Sequence, residues 1–360
     1  MARCYLISDF DVIVIGGGPS GSATALGCAS AGMSVMVVEK GDELRDKPCG
    51  GVLPWVASDT VEGIIGKEIP SSVMADPNEL GLYYVPPSGR RNGGRVAGYK
   101  IHNIDRILFD KWLRDEAGSV GAEFRYNTKF VEFEGTDPIK VKVEQDGEAR
   151  TITSRFLVGA DGVRSDVRAQ LLPGQPAPVL LVAQELWEAS GDFEDCFYGF
   201  FSSRVSSSYA YLIPKGQQLL VGLGVQPKQD PDLTSAMSTF KEWLAAEFAL
   251  RTSEMVKREV WAIPYGFFHP GLGNVLLVGD AAGLCNPLSG EGIRLGIESG
   301  DAASTAISSE AESSSLIGAY VKDVGGIAEF VGSVYDFVQN LDDQGREKFV
   351  SDELNRRSQF

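Results

Sequence analysis

Apolar and polar positions change rhythm along this chain in a way that predicts two kinds of sheet. FDVIVI at residues 10–15 and SVMVV at 34–38 are short apolar runs rich in β-branched residues, with an Ala-rich stretch between them. Strand, helix and strand in that order lay parallel strands side by side, and strands buried on both faces read as continuous apolar runs. Short runs of the same kind return at 155–158 and 274–278. From about residue 176 to 226 the pattern instead alternates between turn residues, which predicts an antiparallel sheet with one wet face. Residues 122–126, 130–134 and 139–145, followed by a turn at Asp146-Gly147, predict a β-meander, and 76–99 reads as irregular strands broken by Pro86, Pro87 and Gly93-Gly94.

Helices are predicted at 56–66, from Asn103 to Gly118 with Ile104, Ile107, Leu108, Trp112 and Leu113 on one face, at 233–249, and at 292–308. The prolines and paired glycines of 47–54 predict a loop without regular structure. Beyond a Ser/Glu-rich break at 308–315 come an amphipathic piece, 316–341, and a charged tail expected to fray. No internal repeat is visible.

Chemistry enters at the first turn. Gly16, Gly18 and Gly21 stand at G-x-G-x-x-G spacing between the first strand and a helix opened by Pro19 and Ser20. Gly16 permits the turn, Gly18 lets the backbone approach a pyrophosphate, and Gly21 lets the helix lie close on the strand, with its amides toward the phosphates. Glu39, followed by Lys40, closes the second strand where a ribose diol would be bound. The pattern predicts a dinucleotide site without choosing between FAD and NAD.

The net charge of −16 over 360 residues argues against nucleic-acid partners and against anionic membrane surfaces. The five cysteines, Cys4, Cys28, Cys49, Cys196 and Cys285, are scattered and odd in number, so neither a zinc site nor a disulfide framework is expected. His102 and His269 are far apart and read as structural or surface residues. No apolar run approaches the length of a membrane span, so the expected location is the cytoplasm, with at most peripheral membrane contact.

Three stretches, GGGPSG with Glu39, GADGVRSDVR at 159–168 and VGDAAGLCNPLSGEG at 278–292, together resemble the FAD-binding half of the para-hydroxybenzoate-hydroxylase-like flavoproteins. The resemblance implies an α/β fold in which a Rossmann-type FAD-binding domain carries a second, antiparallel-sheet substrate domain. The first would be assembled from 1–75, 100–175 and 270–310, the second from 76–99 and 176–269, leaving 311–360 as a C-terminal helical segment and tail. It further implies that Gly279-Asp280 bring a carboxylate to the ribitol of FAD and that Asp161 supports the same region. The Gly290-Glu291-Gly292 turn would aim a helix N-terminus, through the amides of Gly292 and Ile293, at the pyrimidine edge where charge gathers on reduction.

KPCGGVLP at 47–54, NIDRILFDKWL at 103–113 and YAYLIPKGQQLLVGLG at 209–224 resemble segments of geranylgeranyl reductases, with Tyr211 and Ile213 standing where those carry Trp and Phe. That narrower resemblance implies Cys49, between Pro48 and Gly50, beside the flavin ring and Arg106 at the FAD diphosphate. The implied activity is hydride transfer from reduced FAD to a carbon–carbon double bond of an isoprenoid or other small apolar substrate. Trp187, Tyr198, Phe200, Tyr209 and Tyr211 would form the substrate wall, or else ordinary core. Cys49 would donate a proton or guard the ring, or else fill space. With no second dinucleotide fingerprint, electrons are expected from transiently docked NAD(P)H or a redox carrier protein. The chain is also expected to lack the larger C-terminal part of many archaeal members. Two other readings stay open: an FAD-dependent aromatic hydroxylase or halogenase, and a flavin or lipid carrier without turnover.

Overall fold

The structure is a computed structural model that describes residues 8–226, 232–309 and 313–356, so Cys4 and part of the Ser/Glu-rich break lie outside the described residues. Phe10–Ile15 forms the middle of a parallel sheet, flanked by Val35–Val38 on one side and the end of Glu148–Gly159 on the other. Val275–Leu277 extends the sheet beyond Glu148–Gly159, and Glu123–Arg125 extends it beyond Val35–Val38, both in parallel. The doubly buried apolar runs therefore form the centre, as their pattern predicted.

Residues 122–126 were expected in the meander, but Glu123–Arg125 joins the parallel sheet instead. The cause is the helix before it: the chain leaves the second sheet and re-enters through the helix Arg106–Ser119, which packs against the first sheet's own helix, Pro19–Ser30, and delivers residues 123–125 beside Val35–Val38. The antiparallel meander is made by Thr128–Glu134, Ile139–Gln145 and the first half of Glu148–Gly159.

The helices, in chain order, are α1 (Pro19–Ser30), α2 (Trp55–Ile65), α3 (Arg106–Ser119), α4 (Asp166–Leu171), α5 (Leu233–Phe248), α6 (Ile293–Ser308), α7 (Ser313–Gln339) and α8 (Asp343–Arg356). Helices α1 and α6 cross at backbone distance. A Cβ on Gly300 would lie 2.3 Å from the Ser20 carbonyl oxygen, and one on Gly27 would lie 2.1 Å from Ser304 Oγ.

The second sheet runs Arg251–Pro264, Val179–Ser190, Gln218–Val225, Ala210–Lys215, Cys196–Phe200, Met74–Val85, Ile101–Ile104 and Val52–Pro54. The predicted break at the prolines falls where expected: Met74–Val85 ends just before Pro86 and Pro87, and a short strand, Gly94–Arg95, follows, but the expected loop at 47–54 changes. Val52–Pro54 pairs with Ile101–Ile104 despite its proline, because it is an edge strand and Pro54 is its last residue.

The sheet has no wet face over its central strands. Tyr198, Phe200, Leu212 and Val221 pack beneath α5, while Leu80, Val182, Tyr211 and Ile213 form a second core with Val338 of α7 and Leu354 of α8. The expected fraying tail is helix α8, latched to two loops of the sheet. Arg346 donates to the Ser206 and Ser207 carbonyls (3.1 and 2.9 Å), Asp343 accepts from the Ser203 amide (2.8 Å), and Glu347 accepts from Ser88 Oγ (2.6 Å). Among the described residues no helix is long and apolar enough to cross a membrane, and no cluster of metal-ligating side chains occurs.

Candidate functional site

The first turn is closed by contacts that only glycine allows. Gly16 has φ +104°, and a Cβ there would lie 2.4 Å from the Ala160 carbonyl; one on Gly21 would lie 1.9 Å from the Gly16 carbonyl. Gly18 is the N-cap of α1, Pro19 takes its first position, and no side chain caps the helix. Uncapped first-turn amides at a glycine turn suit a pyrophosphate.

Glu39 is buried beside that turn. Its Oε2 accepts from the Gly17 amide (2.8 Å) and its Oε1 from the Gly41 amide (2.9 Å), while Lys40 faces solvent. An ion chain leads away from it: Arg45 bridges Glu39 and Asp110 (3.2 Å each), and Asp110 binds Arg106 (2.7 Å). Arg106 thus lies against Asp110 and Cys49, and the guanidinium beside the phosphate turn is that of Arg45, whose Nη2 is 3.0 Å from where a Gly18 Cβ would sit.

Burial opposes the Arg106 charge, but the Asp110 carboxylate outweighs it and holds the guanidinium above its ordinary pKa. For Asp110 itself, burial is outweighed by Arg106 and Arg45, and its pKa is lowered. Arg114, also buried, donates to the Gly17 carbonyl (3.1 Å). Arg45 and Arg114 were missed from sequence. Arg106, Asp110 and Arg114 follow each other at four-residue intervals along α3, which was a readable sign of a charged stripe turned inward.

The three reductase-like segments meet in one knot. A Cβ on Gly50 would lie 2.8 Å from Ile213 Cδ1. Gly51, at φ +61°, has no room for one because the Ile104 carbonyl oxygen would be 2.4 Å away. The Gly51 amide donates to Cys49 Sγ (3.4 Å), and Lys215 Nζ donates to the Gly51 carbonyl (3.2 Å) and to Asn103 Oδ1. Burial lowers the Lys215 pKa to about 8.

Lys47, from the same loop, pairs with Asp280 (3.3 Å). The Asp280 turn is stacked on the first motif: Gly279 has φ +56°, and a Cβ there would lie 2.8 Å from Ser20 Oγ. Gly292 is the N-cap of α6, again with no side-chain cap, and its Cβ position is 3.2 Å from Asp280 Oδ1. Gly290 turns at φ +68°, and the Tyr209 hydroxyl donates to the adjoining Ser289 carbonyl. Ser165 is the N-cap of α4, and Asp161 Oδ2 adds to it by accepting from the first-turn amides of Asp166 and Val167 (2.8 and 3.1 Å). Asp161 Oδ1 is buried without a partner behind the Gly16 turn, and burial raises the Asp161 pKa.

The five predicted wall residues divide between the faces of the second sheet. Tyr209 and Tyr211 face the knot. The Tyr211 ring lies over Gly222, its hydroxyl donates to Gln184 Oε1 (3.0 Å), and Gln184 Nε2 donates to Glu259 (2.8 Å). Burial holds both phenols well above the usual tyrosine pKa. Tyr198 and Phe200 lie on the other face: Phe200 packs edge-on to Phe240 and Trp243 of α5. Trp187 is covered by Lys241 of α5, whose Nζ is 4.5 Å from the ring centroid. Those three therefore leave the candidate wall. Period two decided this: Tyr198 is opposite Leu212, one residue from Tyr211, so the two tyrosines face apart. Phe197 stacks near Tyr211 and Phe201 near Tyr209, and Phe349 of α8 reaches Phe201 and Tyr84. These were missed.

A model of the FAD binding domain family matches residues 9–178. Geranylgeranyl diphosphate reductase of Rhodobacter capsulatus is 28% identical over 363 residues, covering 95% of this chain and 87% of that protein. Protein CbrA of Escherichia coli is 30% identical over 302 residues, covering 81% and 82%. Among solved structures, a geranylgeranyl bacteriochlorophyll reductase-like protein from Thermoplasma acidophilum superposes with a TM-score of 0.81 at 21% identity, over 96% of this chain and 91% of that one. PqsL, a probable FAD-dependent monooxygenase from Pseudomonas aeruginosa, gives 0.70 at 19% identity, over 95% and 99%.

Proposed function

The chain belongs to the FAD-dependent oxidoreductase and monooxygenase superfamily, with an FAD-binding domain and a geranylgeranyl reductase among its homologues, and from that premise we propose that it reduces carbon–carbon double bonds of an isoprenoid or other apolar substrate. Two uncapped helix N-termini, the Glu39 carboxylate and Asp280 suit the pyrophosphate, ribose and ribitol of FAD. The bound cofactor, once reduced, supplies a hydride.

The observation that carries the reading is the knot itself. Cys49, Asn103 and Lys215, from the three reductase-like segments, meet beside the aromatic face of Tyr209 and Tyr211. In the proposed reaction that face excludes water and orients the alkene, and the Cys49 thiol holds the proton for the second carbon. An isolated alkene is a poor hydride acceptor, so orientation must provide much of the rate. NAD(P)H or a redox carrier protein would deliver the electrons.

The test is anaerobic: the reduced holoprotein is mixed with geranylgeranyl diphosphate and with shorter prenyl alcohols, and products are weighed. Addition of two hydrogens per double bond with flavin reoxidation supports the proposal. No anaerobic turnover, with reoxidation and oxygen retained in product once air is admitted, would replace it with a monooxygenase.

A further inference from the structure

Lys215 carries a charge that the reaction as proposed does not use. Its Nζ is enclosed by three neutral oxygens, the Gly51 and Ile104 carbonyls at 3.2 and 3.4 Å and Asn103 Oδ1. An ammonium has three N–H donors, so three acceptors satisfy it. The Asn103 amide is itself pinned, donating to the Pro77 and Pro214 carbonyls (2.9 and 3.2 Å), which fixes its oxygen toward Lys215. The titratable and charged groups nearby are Cys49 from the loop, Asp105 just before α3 and Arg106 at its start. The first two favour the ammonium, and Arg106 is taken up by Asp110.

Gly51 links this cage to the thiol. Its carbonyl accepts from Lys215 and from the Ile104 amide (2.8 Å), and its own amide donates to Cys49 Sγ (3.4 Å). We propose that Lys215 is a positioning residue for Cys49: the protonated amine cinches the Gly51 turn onto the substrate sheet and so fixes the thiol, and loss of that proton frees the turn. The inference rests on the reading that Cys49 serves the reaction.

The sign follows from burial, which lowers the Lys215 pKa to about 8. The clamp is present below that pH and is lost as pH rises through it, because a neutral amine has two N–H donors for three oxygens. With the folded pKa below the ordinary lysine value, deprotonation relieves a burial cost instead of unfolding the chain. The change is therefore local to the turn, and the melting temperature does not fall with it.

The experiment follows deuterium uptake by the peptide spanning 47–54 in FAD-loaded protein from mildly acid to mildly alkaline pH. Each rate is divided by that of the same free peptide at the same pH, so that the thiolate fraction of Cys49 does not enter. Wild type should show protection that falls as pH passes about 8. Lys215→Met should exchange about tenfold faster at neutral pH, the scale of losing a charge-assisted hydrogen bond, and show no step. Lys215→Arg, which stays protonated, should show no step in this range either. A wild-type rate and profile in Lys215→Met, or a wild-type step in Lys215→Arg, would overturn the proposal; if Lys215→Met does not fold, Lys215→Arg decides. Unchanged turnover in Cys49→Ser would remove the role given to Cys49 in the reaction and leave the measured clamp standing, so the two failures are distinguishable.

Discussion

Substituting Gly300 with alanine tests whether the flavin turn is held by a helix crossing remote from the chemistry. The added Cβ would lie 2.3 Å from the Ser20 carbonyl oxygen and 3.1 Å from both Ala23 Cβ and the Thr24 amide nitrogen. Ordinary contact begins at 3.4 Å, so the first turn of α1 must retreat by about 1.1 Å. The blocking atoms are backbone and an alanine Cβ, so no rotamer change relieves them. Overpacking of this kind costs roughly 1–3 kcal/mol. Alanine in a helix returns about 1 kcal/mol of it, and the residue is a displaced phosphate turn. Gly63 is the control: it lies in α2 with nothing within 4 Å of its Cβ position, so Gly63→Ala collects the helix gain alone. Flavin fluorescence titration and thermal melts with and without FAD should show weaker FAD binding and a lower melting point for Gly300→Ala, and a raised melting point with unchanged binding for Gly63→Ala. If Gly300→Ala binds FAD as wild type does and melts like Gly63→Ala, the crossing does not position the turn and the reasoning fails.

Cys49→Ala should bind FAD normally and lose turnover, with a flavin spectrum and steady-state rates as the check; full turnover would end its proposed role as proton holder. Tyr211→Phe strips Gln184 Oε1 of its donor, a loss of about 1–3 kcal/mol in stability, and should raise KM for the apolar substrate. Phe200→Ala, on the α5 face, should cost about 3–5 kcal/mol of stability and, at temperatures where it stays folded, leave KM alone; the reverse pattern would mean the faces are assigned wrongly. Arg346→Ala removes two bonds from a buried guanidinium to the Ser206 and Ser207 carbonyls and should release α8, at about 2–3 kcal/mol, visible as new proteolytic cleavage within 343–356. A cleavage pattern like that of wild type would show the latch to be dispensable.

What sequence could tell followed how local the cause was. The G-x-G-x-x-G turn, Glu39 and the doubly buried strands are dictated by residues within one supersecondary unit, and they stand where the pattern put them. The division of the aromatic wall was also legible in principle, since strand alternation separates Tyr198 from Tyr211 once the register of two strands is known, but register is a pairing between segments and no single segment carries it. Arg45 sat unnoticed because a loop arginine acquires meaning only when Glu39 and Asp110 close around it. Helix α8 was read as a tail because its composition is charged; its stability comes from serine-rich loops far away in the chain, which supply the acceptors and donors that its Arg346 and Asp343 need.

The stacking of Gly279 on Ser20, with α6 laid across α1, bears on how the molecule is born. The nucleotide cradle brings the turn at Gly16–Gly21 against the stretch from Gly279 to Gly292, and every strand of the second sheet is translated between those two stretches. Contacts of such long sequence separation form slowly. A ribosome must therefore release nearly all of the protein before a dinucleotide can be gripped, so colour appearing in a translation reaction would mark completed chains, and a nascent product halted before Gly292 would remain pale however long it waited.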